Sequence, residues 1–146
     1  MKSLKVAALA LFATAAVSAQ DLAKDEIPSN LKSQFEKEYS KVTDVEWEME
    51  GDNYKVEFDM DHKEYQIWYS KNGETVKMEK EIGENELPAE ISSTIKNKYS
   101  GYKIDSIEMT EEENKKTFEI ELEKGSTNEK TVVFDESGSV INEWED

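Results

Sequence analysis

The sequence predicts an α+β fold: two tandem α-β-β-β-β repeats forming one antiparallel sheet of about eight strands, with both helices on one face. Three observations carry this. Residues 54–78 alternate apolar and polar side chains between turn residues, the mark of strands with one buried and one wet face. A stripe of apolar residues at helical spacing precedes them, at Leu31, Phe35 and Tyr39. The same series then returns, beginning with Leu87-Pro88 sixty positions after Ile27-Pro28.

Residues 20–26 read as a polar leader. Repeat one, residues 27–82, opens on a helix with Pro28 at its start and Ser29 or Asn30 as the expected cap. Val45, Trp47 and Met49 alternate with Glu46, Glu48 and Glu50 in a first strand. Gly51-Asp52-Asn53 turns the chain into a second strand, 54–60, and Asp61-His62-Lys63 turns it into a third, 64–70. Asn72-Gly73 supplies the positive φ of a hairpin leading to a fourth, 74–82. Residues 83–86 are a polar linker, and repeat two occupies 87–146.

In repeat two, Ile91, Ile95 and Tyr99 match the helical stripe. Ile107 and Met109 are aligned with Val45 and Trp47; Phe118, Ile120 and Leu122 with Tyr54, Val56 and Phe58. Val132, Val133 and Phe134 match Ile67, Trp68 and Tyr69, and Gly138 matches Gly73. The growing offset places the extra residues in turns, where a duplicated unit tolerates them. A small sheet under one helix makes a thin core, so the repeats are expected to join edge to edge. The helix-covered face then takes Val45, Trp47, Tyr54, Val56, Phe58, Ile67, Phe118, Ile120, Leu122 and Val132.

Residues 1–19 have the layout of a secretory signal peptide. Lys2 and Lys5 form a positive start, residues 6–17 an apolar run, and Val17-Ser18-Ala19 a small-residue cleavage site before Gln20. The run is shorter than the roughly 20 residues that span a bilayer. No cysteine follows it to carry a lipid, and no later stretch is apolar enough to span a membrane. The expected location is periplasmic or secreted. The formal net charge is −16, and it becomes two units more negative once Lys2 and Lys5 are removed. Every basic residue is Lys, which weighs against nucleic acid as a partner. Cysteine is absent, so thiol chemistry and disulfides are excluded, and the apolar core must hold the domain.

Ile27-Pro28, the Leu31/Phe35/Tyr39 stripe, Val45-Glu46-Trp47, the YKVEF run, the strand ending in Tyr69 and Lys71-Asn72-Gly73 together resemble the PepSY-like, beta-lactamase-inhibitor-like family of exported bacterial proteins. The resemblance covers nearly all of the chain beyond residue 19, more weakly in repeat two, where Met109 stands in the tryptophan's place. It implies tandem α/β repeats and a curved sheet, and it carries over no catalytic residue, cofactor or inhibitory contact.

The candidate chemical sites are sparse. Residues 59–64 are similar to a calcium loop only in their acids, because Lys63 and Glu64 stand where a ligand and the glycine are needed. His62 is the single histidine and has no second imidazole for zinc or partners for a triad. Glu111-Glu112-Glu113 reads as a solvated strand end. No catalytic, cofactor or metal residue is assigned. Trp68 is the one side chain that stands out: its neighbours Ile67 and Tyr69 point to the core, so it is expected on the open face and exposed there. Val133 and Ile141 are expected on that face too, and Glu46, Glu48, Lys55, Glu57, Gln66 and Lys77 around Trp68. An aromatic centre with a polar rim is the anatomy of a protein interface. The reading is a monomeric, non-enzymatic binding module whose open face engages a protein or peptide of basic character. Inhibition is one form of that role. Trp68, Val133, Glu57, Gln66 and Lys55 are its candidate contacts. The rivals are a cation-binding or acidic structural protein and a hydrolase using carboxylates.

Overall fold

A computed structural model describes residues 20–145; the signal peptide expected over residues 1–19 lies outside the described residues. Among them are two α-helices, α1 (Ser29–Glu38) and α2 (Ala89–Lys98). The strands are β1 (Gln20–Asp21), β2 (Thr43–Glu50), β3 (Asn53–Met60), β4 (Lys63–Tyr69), β5 (Thr75–Glu81), β6 (Lys103–Glu112), β7 (Lys115–Lys124), β8 (Asn128–Asp135) and β9 (Val140–Glu145). They form one antiparallel sheet in sequence order from β1 to β9. The strand beyond the expected eight is β1: Gln20 and Asp21, read as loose leader, pair with Met49 and Glu48. The linker contains a short 3-10 turn, Glu84–Glu86.

Each helix starts on a proline whose φ of −53° already suits the first turn, Pro28 in α1 and Pro88 in α2. Pro28 itself is the N-cap, with no side-chain capping bond, so neither Ser29 nor Asn30 takes the role expected of it. Leu31 and Phe35 bury the inner face of α1, and Ile91 and Ile95 that of α2. Two cores result on one face of the sheet. Under α1, Phe35 meets Trp47 edge-on at 5.4 Å and Phe58 at 5.1 Å, while Trp47 stacks on Tyr69 at 6.2 Å. The Tyr69 hydroxyl is buried there with no hydrogen-bond partner, and burial pushes its pKa up. Under α2, Ile107, Phe118, Ile120, Leu122, Val132 and Phe134 close the second core. Among the described residues Met78 alone packs against both.

Val45 is the exception to the expected core face, at 39 % exposed. The pairing of β2 with β3 shifts between Thr43 and Glu46, and Asp44 sits at φ 54°. That β-bulge takes Val45 out of the alternation that Trp47 and Met49 obey. The repeat alignment changes for the same reason. The Leu22 amide donates to the Trp47 carbonyl (2.9 Å), and the Ile82 amide to the Ile107 carbonyl (3.0 Å). Ile107 therefore corresponds to Trp47 and Met109 to Met49, at the offset of sixty that the helices keep. Val45 corresponds to Asp105, which is likewise skipped in the pairing of β6 with β7.

The hairpin glycines fix each repeat's last turn to its helix. Gly73 (φ +83°) accepts a hydrogen bond on its carbonyl from Gln34 Nε2 at 3.0 Å. Gly138 (φ +81°) accepts one from Thr94 Oγ1 at 2.9 Å. A Cβ on Gly138 would lie 2.7 Å from the Glu90 carbonyl oxygen, whereas one on Gly125 (φ +70°) would meet nothing within 4 Å. Gly125→Ala is expected to cost about 1–2 kcal/mol, the strain of a left-handed alanine. Gly138→Ala adds overpacking of about 1–3 kcal/mol to that strain. Urea melts of the two variants check the difference, which disappears if the turn of Gly138 does not abut α2.

Candidate binding face

The sheet face away from the helices is built by the same alternation that builds the cores. Between Ile67 and Tyr69, both core residues, Trp68 points the other way and belongs to neither core. The cross-strand register sets Lys55 of β3 on one side of it and Lys77 of β5 on the other. Both ammonium groups lie over the indole, Lys55 Nζ at 5.3 Å and Lys77 Nζ at 4.4 Å from the ring centroid. Cations over an indole face are held by the ring quadrupole, and their alkyl stems cover apolar surface. The indole N–H donates to the Glu50 carboxylate. Trp68 is thus on the expected face but only 6 % exposed, which corrects the expectation of an open aromatic contact. Residue alternation tells which way a side chain points; it does not reveal that lysines on both neighbouring strands fold over it.

Carboxylates hold that cover in place. Lys55 bonds Glu57 at 2.5 Å and Glu48 at 2.9 Å, and Lys77 bonds Glu79 at 2.5 Å. Burial pulls the Lys55 ammonium down, but its bonds to Glu57 and Glu48 outweigh this and leave its pKa above the ordinary lysine value. Of the other candidate contacts, Glu57 and Gln66 face each other across β3 and β4, one rung from the Lys55–Trp68 pair. Val133 does not join them. It lies on β8 beside Glu119 and Asn142, four strands from Trp68, or about 19 Å at the usual strand spacing. Ile141, 51 % exposed, is skipped where the β8–β9 pairing shifts register, so it does not share Val133's rung.

The structure adds a lane that the sequence pattern does not show. Glu81, Glu108 and Glu119 stand on successive cross-strand rungs of β5, β6 and β7. Glu108 is pushed up to about 7 by burial first, then by Glu79 and Glu119, with Lys77 opposing. The signal is present in the strand phases, which put these glutamates opposite the core residues, but it requires the pairing of β5 with β6 across the repeats. His62 is exposed at the β3–β4 turn, where Asp61 and His62 both take positive φ (53° and 62°), and that accounts for the acids of residues 59–64 as a hairpin. Among the described residues no three His, Asp or Glu side chains converge in a way that could hold a metal ion.

The sequence matches the PepSY-like family, described as candidate beta-lactamase-inhibitor-like proteins, over residues 15–65 and 52–142. The chain belongs to the PepSY-like family. The two overlapping matched regions reach across both halves of this PepSY-like chain. A DUF2874 family protein from Bacteroides uniformis shares its fold at a TM-score of 0.63, with 15 % identity over 82 % of this chain and 89 % of that one. A BLIP-like protein from Bacteroides fragilis does so at 0.60, with 23 % identity over 82 % and 86 %. A protein from Bacteroides eggerthii, named as a candidate periplasmic protein, reaches 0.64 with 16 % identity over 81 % and 88 %. Comparison with curated proteins returns no match.

Two outcomes follow from the face. Trp68→Ala removes a covered ring and an indole hydrogen bond, so it is expected to cost about 2–3 kcal/mol, against about 3–5 kcal/mol for Trp47→Ala in the aromatic core. Urea melts compare them; a Trp68 variant as stable as the parent would mean that the lysine cover is absent in solution. Glu108 has a folded-state pKa above its ordinary 4.5. Between 4.5 and about 7 the folded chain therefore keeps a proton that the unfolded chain releases, and stability falls as pH rises through that window. Glu108→Gln should leave stability unchanged below the window, flatten its fall within it and raise stability above it. Urea midpoints at about pH 4, 6 and 8 measure this.

Proposed function

We propose that this PepSY-like chain is a non-enzymatic binding module, exported with residues 1–19 removed, whose open sheet face engages a cationic protein or peptide. The observation that carries the reading is the nine-stranded sheet with both helices on one side, which leaves the other side uncovered across both repeats. Its rows of glutamates and the chain's formal charge of −16 favour a positively charged partner. Membership in a beta-lactamase-inhibitor-like family, and the likeness to a protein named BLIP-like, support binding rather than catalysis. An inhibitory role is the form of binding that this kinship suggests. A neighbour named as a candidate periplasmic protein supports export, and no described helix is long and apolar enough to cross a membrane.

In this reading Lys55, Glu57 and Gln66 are the central contacts, Trp68 supports Lys55 from beneath, and Val133 is an outer contact. Glutamates fixed on a rigid sheet give an interface whose on-rate depends on ionic strength. Capture from an extract of exported proteins, by the parent and by a Gln66→Lys, Glu79→Lys variant, tests it. The expected partner is basic at its contact surface, is released by salt and is lost to the variant, whose fold is verified by melting. A partner held equally by parent and variant would place binding off the open face.

A further inference from the structure

On the opposite side of the molecule, between α1 and the outer edge of β2, lies a groove of about 700 Å3. Leu22, Ile27, Phe35, Val42, Val45 and Trp47 line it, with Tyr39 at the helix end. We propose that this groove takes an extended apolar segment of a partner protein, flanked by lysine or arginine, laid along the β2 edge in line with β1.

The internal repeat provides the comparison. At the offset of sixty, Val42 stands where repeat two has Tyr102, and Asp44 where it has Ile104. Tyr102 and Ile104 both pack against the second core, and Lys124 covers the Tyr102 ring at 5.5 Å. Repeat one has a smaller side chain at the first position and an aspartate at φ 54° at the second. It also has exposed Val45 at the bulge, where repeat two has Asp105. The same architecture is thus closed in one repeat and open, with apolar walls, in the other.

The edge of β2 gives the segment its direction. β1 pairs with Met49 and Glu48, and the Leu22 amide reaches the Trp47 carbonyl; beyond it the chain turns away toward α1. Among the described residues, Thr43–Glu46, about 13 Å of strand, therefore has a strand partner on the β3 side only. An extended peptide continuing the line of β1 places alternate side chains in the groove, as strand addition does elsewhere.

Charge selects the occupant. Asp21, Glu36 and Glu46 outnumber Lys24 and Lys32 along the rim, and the chain neighbours Lys41 and Asp44 leave that acidic balance unchanged. A second copy of the chain is disfavoured, because its β9, the other edge strand among the described residues, brings Glu143 and Glu145, which share Lys130 between them, against these acids. Flanking basic residues on a partner meet them instead.

The test uses a fluorescent, acetylated nonapeptide of alternating lysine and valine, with anisotropy for affinity and amide shifts for location. The parent is expected to bind it with shifts centred on residues 43–47. Val45→Lys, and Val42→Tyr, which copies the closed repeat, are expected to weaken binding about tenfold or more, with unchanged melting. The amide shifts separate the two sites: occupation of the groove moves residues 43–47, whereas occupation of the open face would move residues 55–57 and 66–68, so failure here is separable from failure of the function proposed above. A peptide N-methylated at alternate residues, or with glutamate for lysine, is expected to lose binding. The proposal is overturned if the peptide does not bind or if both groove variants bind it like the parent. It is equally overturned if the N-methylated or glutamate peptide binds as well, which would point to a site for apolar amphiphiles without strand pairing or charge selection. Self-association that Val45→Lys abolishes would assign the groove to a second copy and overturn it too.

Discussion

The pairing of β5 with β6 is the constraint on which the rest of the molecule depends. Lys77–Glu81 lies rung by rung against Glu108–Glu112, and among the described residues this ladder is the only join between the two repeats' strands. It decides that there is one sheet rather than two, and hence one uncovered face rather than two small ones. It also creates the electrostatics of that face, since it sets Glu81 of the first repeat against Glu108 of the second. Their proximity is a product of the junction, which also brings Glu79 of the first repeat to add, with Glu119 of the second, to the burial that raises the proton affinity of Glu108.

Much of this is legible in the sequence because it depends on periodicity. The stripe Leu31, Phe35, Tyr39 and the alternation of Val56 with Glu57 fix a helix and a strand face by geometry alone. Bulges break that logic. Val45 looks like a core residue in any alternating pattern, and only the left-handed Asp44 beside it shows where the register changes. The two-residue error in aligning Ile107 has the same origin. Alternation assigns Trp68 to the correct face and the wrong environment, because burial on an open face comes from long side chains on neighbouring strands. Lys55 and Lys77 are far from Trp68 in sequence and flank it only through register. The groove beside β2 is invisible in the sequence for a related reason. It is defined by what is missing at Val42 and Asp44, and an absence is seen only against the filled counterpart at Tyr102 and Ile104.

The two sides of the sheet therefore differ in kind. The helix side is held by ring contacts and aliphatic packing, which tolerate salt and pH. The open side is held by lysines threaded among glutamates, whose mutual attraction and repulsion respond to both. A face of this type changes its charge without changing its backbone.

Two cores that meet at a single shared side chain, Met78, have a consequence for descent. Among the described residues, a substitution that repacks the aromatic cluster under α1 reaches the cluster under α2 only through that one flexible side chain. Each half can drift at its own pace while the ribbon of strands keeps its shape. Solved structures that share only 15–23 % identity with this chain keep its fold at TM-scores of 0.60–0.64.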